Sequence, residues 1–186
     1  MAPRIAQQVK AIARTAFRVE VIDHRNDAVA RRVLHLLEQA SAQEAALLGL
    51  ASTVAGTRTL ASIQSSGDFH LGVWSEDRTL LGLLSIGPDD EPEQLCIGTL
   101  VVLPQAQRQG IARALLQDAL ARGLGMNFAV TAAAANTPAL ALYRQLGFAV
   151  YRHGITSQGQ VPLVKLRRAA AAPAGPATSG DGPRPA

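Results

Sequence analysis

The residues best placed to do chemistry are Gln107, Arg108, Gln109, Gly110, Ile111, Ala112 and Arg113. They follow an apolar run that stops at Pro104, and they open a segment with the apolar spacing of a helix. Such a junction leaves the first N–H groups of the helix without intrahelical partners, with the positive end of the helix dipole behind them. A phosphate or pyrophosphate suits that position if the backbone can come close. Gly110 and Ala112 allow the approach because neither carries bulk toward a ligand. Gln107, Arg108 and Gln109 add side-chain donors, Arg108 with a charge.

A second stretch carries residues of interest at fixed spacing: Asn136, Ala139, Tyr143, Gly147 and Phe148. With Gln107-x-x-Gly110-x-Ala112 before it, this resembles the GNAT superfamily of N-acetyltransferases. Their cofactor signature is Arg/Gln-x-x-Gly-x-Gly/Ala in a strand-to-helix loop. Their later motif is Asn-x-x-Ala-x-x-x-Tyr-x-x-x-Gly-Phe. The resemblance covers about residues 17–168 and is specific from Leu100 to Phe148. It implies an α/β fold with a mixed central sheet of six or seven strands and about four helices. Two central parallel strands splay apart in that fold, and acetyl-CoA lies in the gap.

The elements needed to position these residues can be read in order. Phe17 to Asp23 alternates as a first strand. Asn26 or Asp27 caps a helix to about Ala40, with Val29, Val33, Leu36 and Leu37 inward. Ser41 to Glu44 reads as a capping box that starts a second helix. Residues 55–66 read equally as helix or loop. Asp68 to Ser75 and Thr79 to Ile86 form a hairpin, and Gly87 to Pro92 is a loop by composition. Glu93 to Leu103 is a strand whose nearly unbroken apolar run predicts burial on both faces. Ile111 to Arg122 is a helix with Leu115, Leu116, Ala119 and Leu120 inward, ended by Gly123 and Gly125. Phe128 to Ala133 is a strand. Thr137 caps the next helix, Pro138 sits at its start, and Gly147 stops it. Phe148 to Arg152 and Gln160 to Leu166 close the domain as a hairpin around residues 154–159.

Residues 1–16 form a basic arm, read as a short helix or as a targeting peptide. Residues 17–168 form the domain. Residues 169–186 are Ala, Pro and Gly in low complexity, with no means of building a core, and are expected to be disordered. The 186-residue chain carries a net charge of +4, and Arg4, Lys10 and Arg14 put most of it in the arm. The body is nearly neutral and aromatics are only 4%, which argues against nucleic acid as a partner. No apolar run reaches membrane-spanning length. One cysteine, Cys96, excludes an intrachain disulfide, and the scattered histidines show no metal-ligand spacing, so no metal is expected. A cytoplasmic location fits this composition, and a homodimer is left open.

The resemblance assigns roles residue by residue. The backbone of Leu100, Val101 and Val102 would pair with the pantetheine arm like an added strand. The loop from Gln107 to Ala112, with Arg113 behind it, would take the pyrophosphate, and Asn136 would touch the cofactor. The N–H of Val102 is the candidate donor to the thioester oxygen, and Tyr143 the acid that protonates the leaving thiolate. Leu100 and Val102 also read as packing residues, Tyr143 as an amphipathic core residue, and Asn136 as a helix cap.

No carboxylate stands where such enzymes place a base. Cys96 occupies the mid-strand position and reads as a small buried apolar residue. The sequence from Gln107 to Leu116 is similar to enzymes that acetylate the N-terminal alanine of a ribosomal protein, yet Thr131 falls where those carry a glutamate. Glu91 and Glu93 read as water-mediated bases or as solvated loop acids. The resulting expectation is an acetyl-CoA-dependent N-acetyltransferase acting on a primary amine of a small molecule or peptide. The alternative is a non-catalytic acyl-CoA-binding module on the same fold.

Overall fold

Short runs rich in Val, Leu, Ile and Ala pair edge to edge into one mixed sheet, which a computed structural model describes over residues 17–48, 58–157 and 161–170. The described residues form seven strands: β1 (Val19–Val21), β2 (Phe69–Trp74), β3 (Leu80–Pro88), β4 (Gln94–Val102), β5 (Asn127–Ala133), β6 (Ala149–Ile155) and β7 (Pro162–Arg168). The sheet order is β1-β2-β3-β4-β5-β7-β6. Only β4 and β5 run parallel; every other neighbouring pair is antiparallel. Four α-helices complete the described fold: α1 (Asp27–Leu48), α2 (Leu60–Gln64), α3 (Ile111–Arg122) and α4 (Thr137–Gln145). This is the mixed sheet with splayed central strands that the sequence motifs imply.

Several local expectations change. There is no break at Ser41: α1 runs unbroken through the supposed capping box. Residues 39–48 are Ala, Gln, Glu, Leu and one Ser, with no Gly or Pro to stop a helix, and a mid-helix Ser costs only a few tenths of a kcal/mol. Asn26 caps the start, its Oδ1 accepting from Val29 N–H at 3.2 Å. Ala30, Val33, Leu36 and Leu37 are buried, and Val29 is half-buried. The strand β3 continues through Gly87 and Pro88, because Pro88 still pairs with Leu95 at the strand end, where a missing N–H is tolerated. Within residues 55–66, α2 is capped by Thr59 and Ser62 acting reciprocally; residues 49–57 lie outside the described residues. The cap of α4 is Asn136 rather than Thr137, its Oδ1 accepting from Ala139 N–H at 3.2 Å, which places Thr137 at the first helical position and Pro138 at the second. The arm, residues 158–160 of the last hairpin loop, and the tail from 171 onward also lie outside the described residues. Ala170 is held, donating its N–H to Asn127 Oδ1 at 3.0 Å.

The helix α3 packs its predicted stripe against one sheet face. Ile111, Leu115, Leu116 and Ala119 are at most 1% exposed. Gly82 makes the contact close: a Cβ there would stand 2.6 Å from Ile111 Cγ2. Gly123 does the same at the other end, where a Cβ would meet Phe128 Cζ at 2.4 Å. Fully burying each Leu or Ile of this stripe contributes about 2 kcal/mol before entropy is counted, and it fixes where the helix begins.

Candidate active site

The central feature of the site is incomplete pairing. β4 meets β5 only from Gln94↔Asn127 to Ile97↔Val130, and beyond that the strands part. On its other edge, β4 stays paired with β3 up to Gly82↔Val102. Leu103 N–H donates to Leu81 O at 2.8 Å, so the backbone of Val101, two residues earlier, also faces β3 at Leu83. The intervening residues, Leu100 and Val102, therefore aim their N–H and C=O groups into the gap. Unpaired backbone groups at an open strand edge are a template for an extended ligand. Leu100 and Val101 are half-buried and Gly98 is exposed, contrary to the expected burial on both faces, because no strand covers the β5 side of this stretch. Gly98 itself is a bulge: Ser85↔Thr99 is followed by Ile86↔Ile97, leaving Gly98 without a partner at the apex of the gap.

The gap leads to the loop before α3. A 3-10 turn at Pro104–Ala106 reverses the chain, then Arg108 (φ 63°) and Gly110 (φ 96°) adopt left-handed conformations. A Cβ on Gly110 would meet nothing within 4 Å, so the loop is open on its outer side. Ala114 N–H bonds Gly110 O at 2.9 Å, the first intrahelical bond, and Gly110 supplies no side-chain cap. The first-turn N–H groups thus face outward beside the uncommitted Arg108, which forms no ion pair among the described residues. The other donors are occupied. Gln107 Nε2 donates to Gln43 Oε1 at 2.6 Å and to Val102 O at 3.3 Å, while Gln43 Nε2 returns a bond to Gln107 Oε1 at 3.2 Å. Gln109 Nε2 donates to Gln105 O at 3.4 Å, and Arg113 donates to Gln145. Gln107 is therefore a brace joining the loop, β4 and α1. The unbroken α1 is what brings Gln43 to it.

Tyr143 lies on α4, 5% exposed, with its ring tilted against Phe148 at 5.7 Å between centroids. Its hydroxyl makes no hydrogen bond among the described residues. No buried side-chain N or O of those residues is left unpartnered, so this hydroxyl is not fully sealed. Burial, followed by the nearby Glu44 and Cys96, pushes the phenol well above the ordinary tyrosine range. It is a neutral donor at any physiological pH.

The acids named in the sequence do other work. Glu91 accepts from Tyr151 Oη at 3.0 Å and from Arg152 at 3.3 Å, and faces Arg167 at 3.9 Å. It is a partly exposed acid held by these three partners on β6 and β7. Glu93 is exposed in a left-handed turn (φ 57°). Asp89 is buried against Lys165 at 2.7 Å and accepts from Gln94 at 2.6 Å. Burial raises its pKa, but the bonds from Lys165, Gln94 and Asp90 N–H outweigh it and hold the carboxyl below the ordinary range. Burial, with Asp89 nearby, pushes the Cys96 thiol up, so it stays protonated and is no nucleophile. Thr131 is exposed, opposite Lys165 in the β5–β7 ladder. Among the described residues no three His, Cys, Asp or Glu side chains converge as a metal site, and no helix is long and apolar enough to cross a membrane. Sequence reasoning missed Gln43, whose contact with Gln107 depends on a helix read as broken.

This arrangement agrees with what the chain is similar to. The model of the acetyltransferase (GNAT) family matches residues 53–148, and the chain belongs to that family. A Bacillus subtilis relative described as UPF0157 protein YqkA is 31% identical over 131 residues, covering 70% of this chain and 37% of its own length. The chain thus spans little more than a third of that relative. Among solved structures, the Escherichia coli ribosomal-protein-S18-alanine N-acetyltransferase superposes with a TM-score of 0.64 at 17% identity, covering 84% of this chain and 96% of that one. The Corynebacterium glutamicum structure described as histone acetyltransferase HPA2 and related acetyltransferase gives 0.65 at 15% identity, covering 86% and 99%. At these identities the likeness is one of fold.

Proposed function

We propose that the protein transfers an acetyl group from acetyl-CoA to a primary amine, within one complex of both substrates. The observation that carries this is the continuity of the gap: free backbone groups at Leu100 and Val102 lead to the open helix start at Gly110. An extended arm ending in a pyrophosphate fits that track. Val102, nearest the pyrophosphate end, and Leu100 would bind the arm, which directs its thioester end toward the Gly98 apex. The first-turn N–H groups from Gly110 to Arg113, with Arg108, would hold the pyrophosphate. Asn136 has its Oδ1 engaged as a cap, which leaves its amide N–H groups for the cofactor. Tyr143 would donate to the sulfur as the thioester breaks. With so high a pKa, its contribution is a hydrogen bond to developing thiolate charge more than a completed proton transfer.

The proposed partners are acetyl-CoA and an amine, in the cytoplasm. Calorimetry with acetyl-CoA, followed by thiol release with a panel of primary amines, tests the reading. Binding in the micromolar range and turnover with at least one amine are expected. Binding with no release from any amine would make the protein a non-catalytic acyl-CoA-binding module. Absence of binding would overturn both readings.

A further inference from the structure

We propose that Asp68 receives the acceptor's ammonium group and removes its proton, the base that the sequence motifs do not supply. The inference rests on the acetyl-transfer reading above. Asp68 immediately precedes β2, and its carboxylate reaches over β3 and β4. A Cβ on Gly87 would stand 2.5 Å from Asp68 Oδ1, and one on Gly98 3.6 Å from Oδ2. The carboxylate occupies space that exists because both strands carry glycine there. Gly98 is the bulge at the apex of the splay, next to the last parallel pair, so this notch sits where the two central strands part.

The carboxylate is uncommitted. It makes no hydrogen bond or ion pair among the described residues, whereas Asp89 and Glu91 are fully engaged. Ser85 points to the same notch. The residue is 2% exposed, its Oγ lies 3.2 Å from where a Gly98 Cβ would be, and it makes no hydrogen bond among the described residues. As with Tyr143, no buried polar side-chain atom is left unpartnered among the described residues, so this hydroxyl is not fully sealed. Asp68 also borders an open depression on the β1–β2 side, beside Asp23, His24, Arg25 and His70.

Asp23, His24 and Arg25 line the same depression, and none of them forms an ion pair with the Asp68 carboxylate. His70, on β2, is held toward its neutral form by burial, with His24 and Arg58 acting the same way, and this outweighs the opposing effect of its bond to the Asp68 carbonyl and of the Asp68 charge. Its Nδ1 bonds the Asp68 backbone carbonyl at 3.0 Å, not the carboxylate. Cys96, on β4, is a neutral thiol.

The proton balance closes. An ammonium gives one proton to the Asp68 carboxylate, and the neutral nitrogen attacks the acetyl carbonyl carbon. The carbon–sulfur bond breaks, and the nitrogen's second proton is lost to the departing sulfur. The carboxylic acid then returns its proton to water.

The test compares Asp68→Asn with the wild type on an amine that the wild type acetylates, alongside acetyl-CoA calorimetry on both. Absent wild-type turnover would refute the acetyl-transfer reading, and this proposal with it, before Asp68 is examined. The expected result for the variant is an unchanged acetyl-CoA affinity with kcat/KM for the amine lower by about 100-fold at neutral pH. The deficit should shrink as pH approaches the amine's own pKa, since an amine arriving neutral needs no base. Activity within about threefold of wild type, or a deficit that is the same at every pH, would overturn the assignment. Gly87→Ala gives a second reading with Asp68 intact: its Cβ displaces the carboxylate and should lower kcat/KM in the same pH-dependent way.

Discussion

Replacing Tyr143 with Phe removes one oxygen and keeps the ring against Phe148, 5.7 Å between centroids. Because the hydroxyl bonds nothing among the described residues, its loss breaks no internal hydrogen bond, and the variant should melt within about 1–2 °C of wild type. The effect on the reaction is different. A neutral donor facing developing negative charge makes a charge-assisted bond, worth about 1.5–3 kcal/mol. At 1.36 kcal/mol per tenfold in rate, that corresponds to a fall in kcat of roughly 10- to 150-fold. A strong general acid would give more. The raised pKa of Tyr143 argues for this lower range, because full transfer from so weak an acid is uphill. The assay is single-turnover thiol release with saturating amine, so that product release does not mask the step. Acetyl-CoA affinity should be unchanged, since the charge appears only late. A Phe variant with wild-type single-turnover rate would remove Tyr143 from the chemistry and leave it as packing alone.

Gly110→Asp should abolish measurable acetyl-CoA binding in calorimetry while the fold is retained. The side chain meets no neighbour, but it brings a negative charge to an anion site and a strained φ of about 1–2 kcal/mol; unchanged affinity would exclude the loop as the pyrophosphate site. Gln107→Ala should lower stability by about 1 kcal/mol in denaturant titration and weaken acetyl-CoA binding by loosening the loop from α1, and a variant identical to wild type in both would show that the brace has no role. Lys165→Met strands Asp89, whose side chain is 5% exposed, and should cost about 3 kcal/mol at neutral pH. In the wild type, the depressed Asp89 pKa gives a stabilisation that is complete above the ordinary aspartate value of about 3.9 and is lost as pH falls through the folded value. The deficit of Lys165→Met should therefore shrink as pH falls through the carboxyl's titration range, and a deficit equal in acid and at neutral pH would count against the pair.

The stretch from β4 to α3 was legible because every local signal agreed: an apolar run, a proline, a glycine that needs positive φ, then a helical stripe. The bounds of α3, Ile111–Arg122, follow from it. Ser41 to Glu44 misled because a capping box is a local code, and only a preceding stop would have let it act; the helix had none. The burial of β4 was overestimated because an apolar run does not reveal how far its neighbour follows it, and β5 leaves after Ile97↔Val130. Thr137 and Asn136 are both competent caps, and the choice was made by the turn before them, where Asn136 N–H bonds Ala133 O at 3.0 Å. Glu91 could not be read because its partners are far along the chain, on β6 and β7. Asp68 was illegible for a similar reason. Gly87 and Gly98 come together only through the β3–β4 register and its bulge.

The short run of pairing between β4 and β5 has a consequence for how the sheet opens. β1 to β4 pair antiparallel on one side of the sheet and β5 to β7 on the other. The two sides are stitched by a short parallel seam from Gln94↔Asn127 to Ile97↔Val130. The cleft is the unstitched length of that seam, so the seam is a line along which the sheet can open. A ligand lying in it would serve as the missing stitches. Acetyl-CoA should then slow hydrogen exchange most at Gln94–Ile97 and Asn127–Val130, on strands it need not touch.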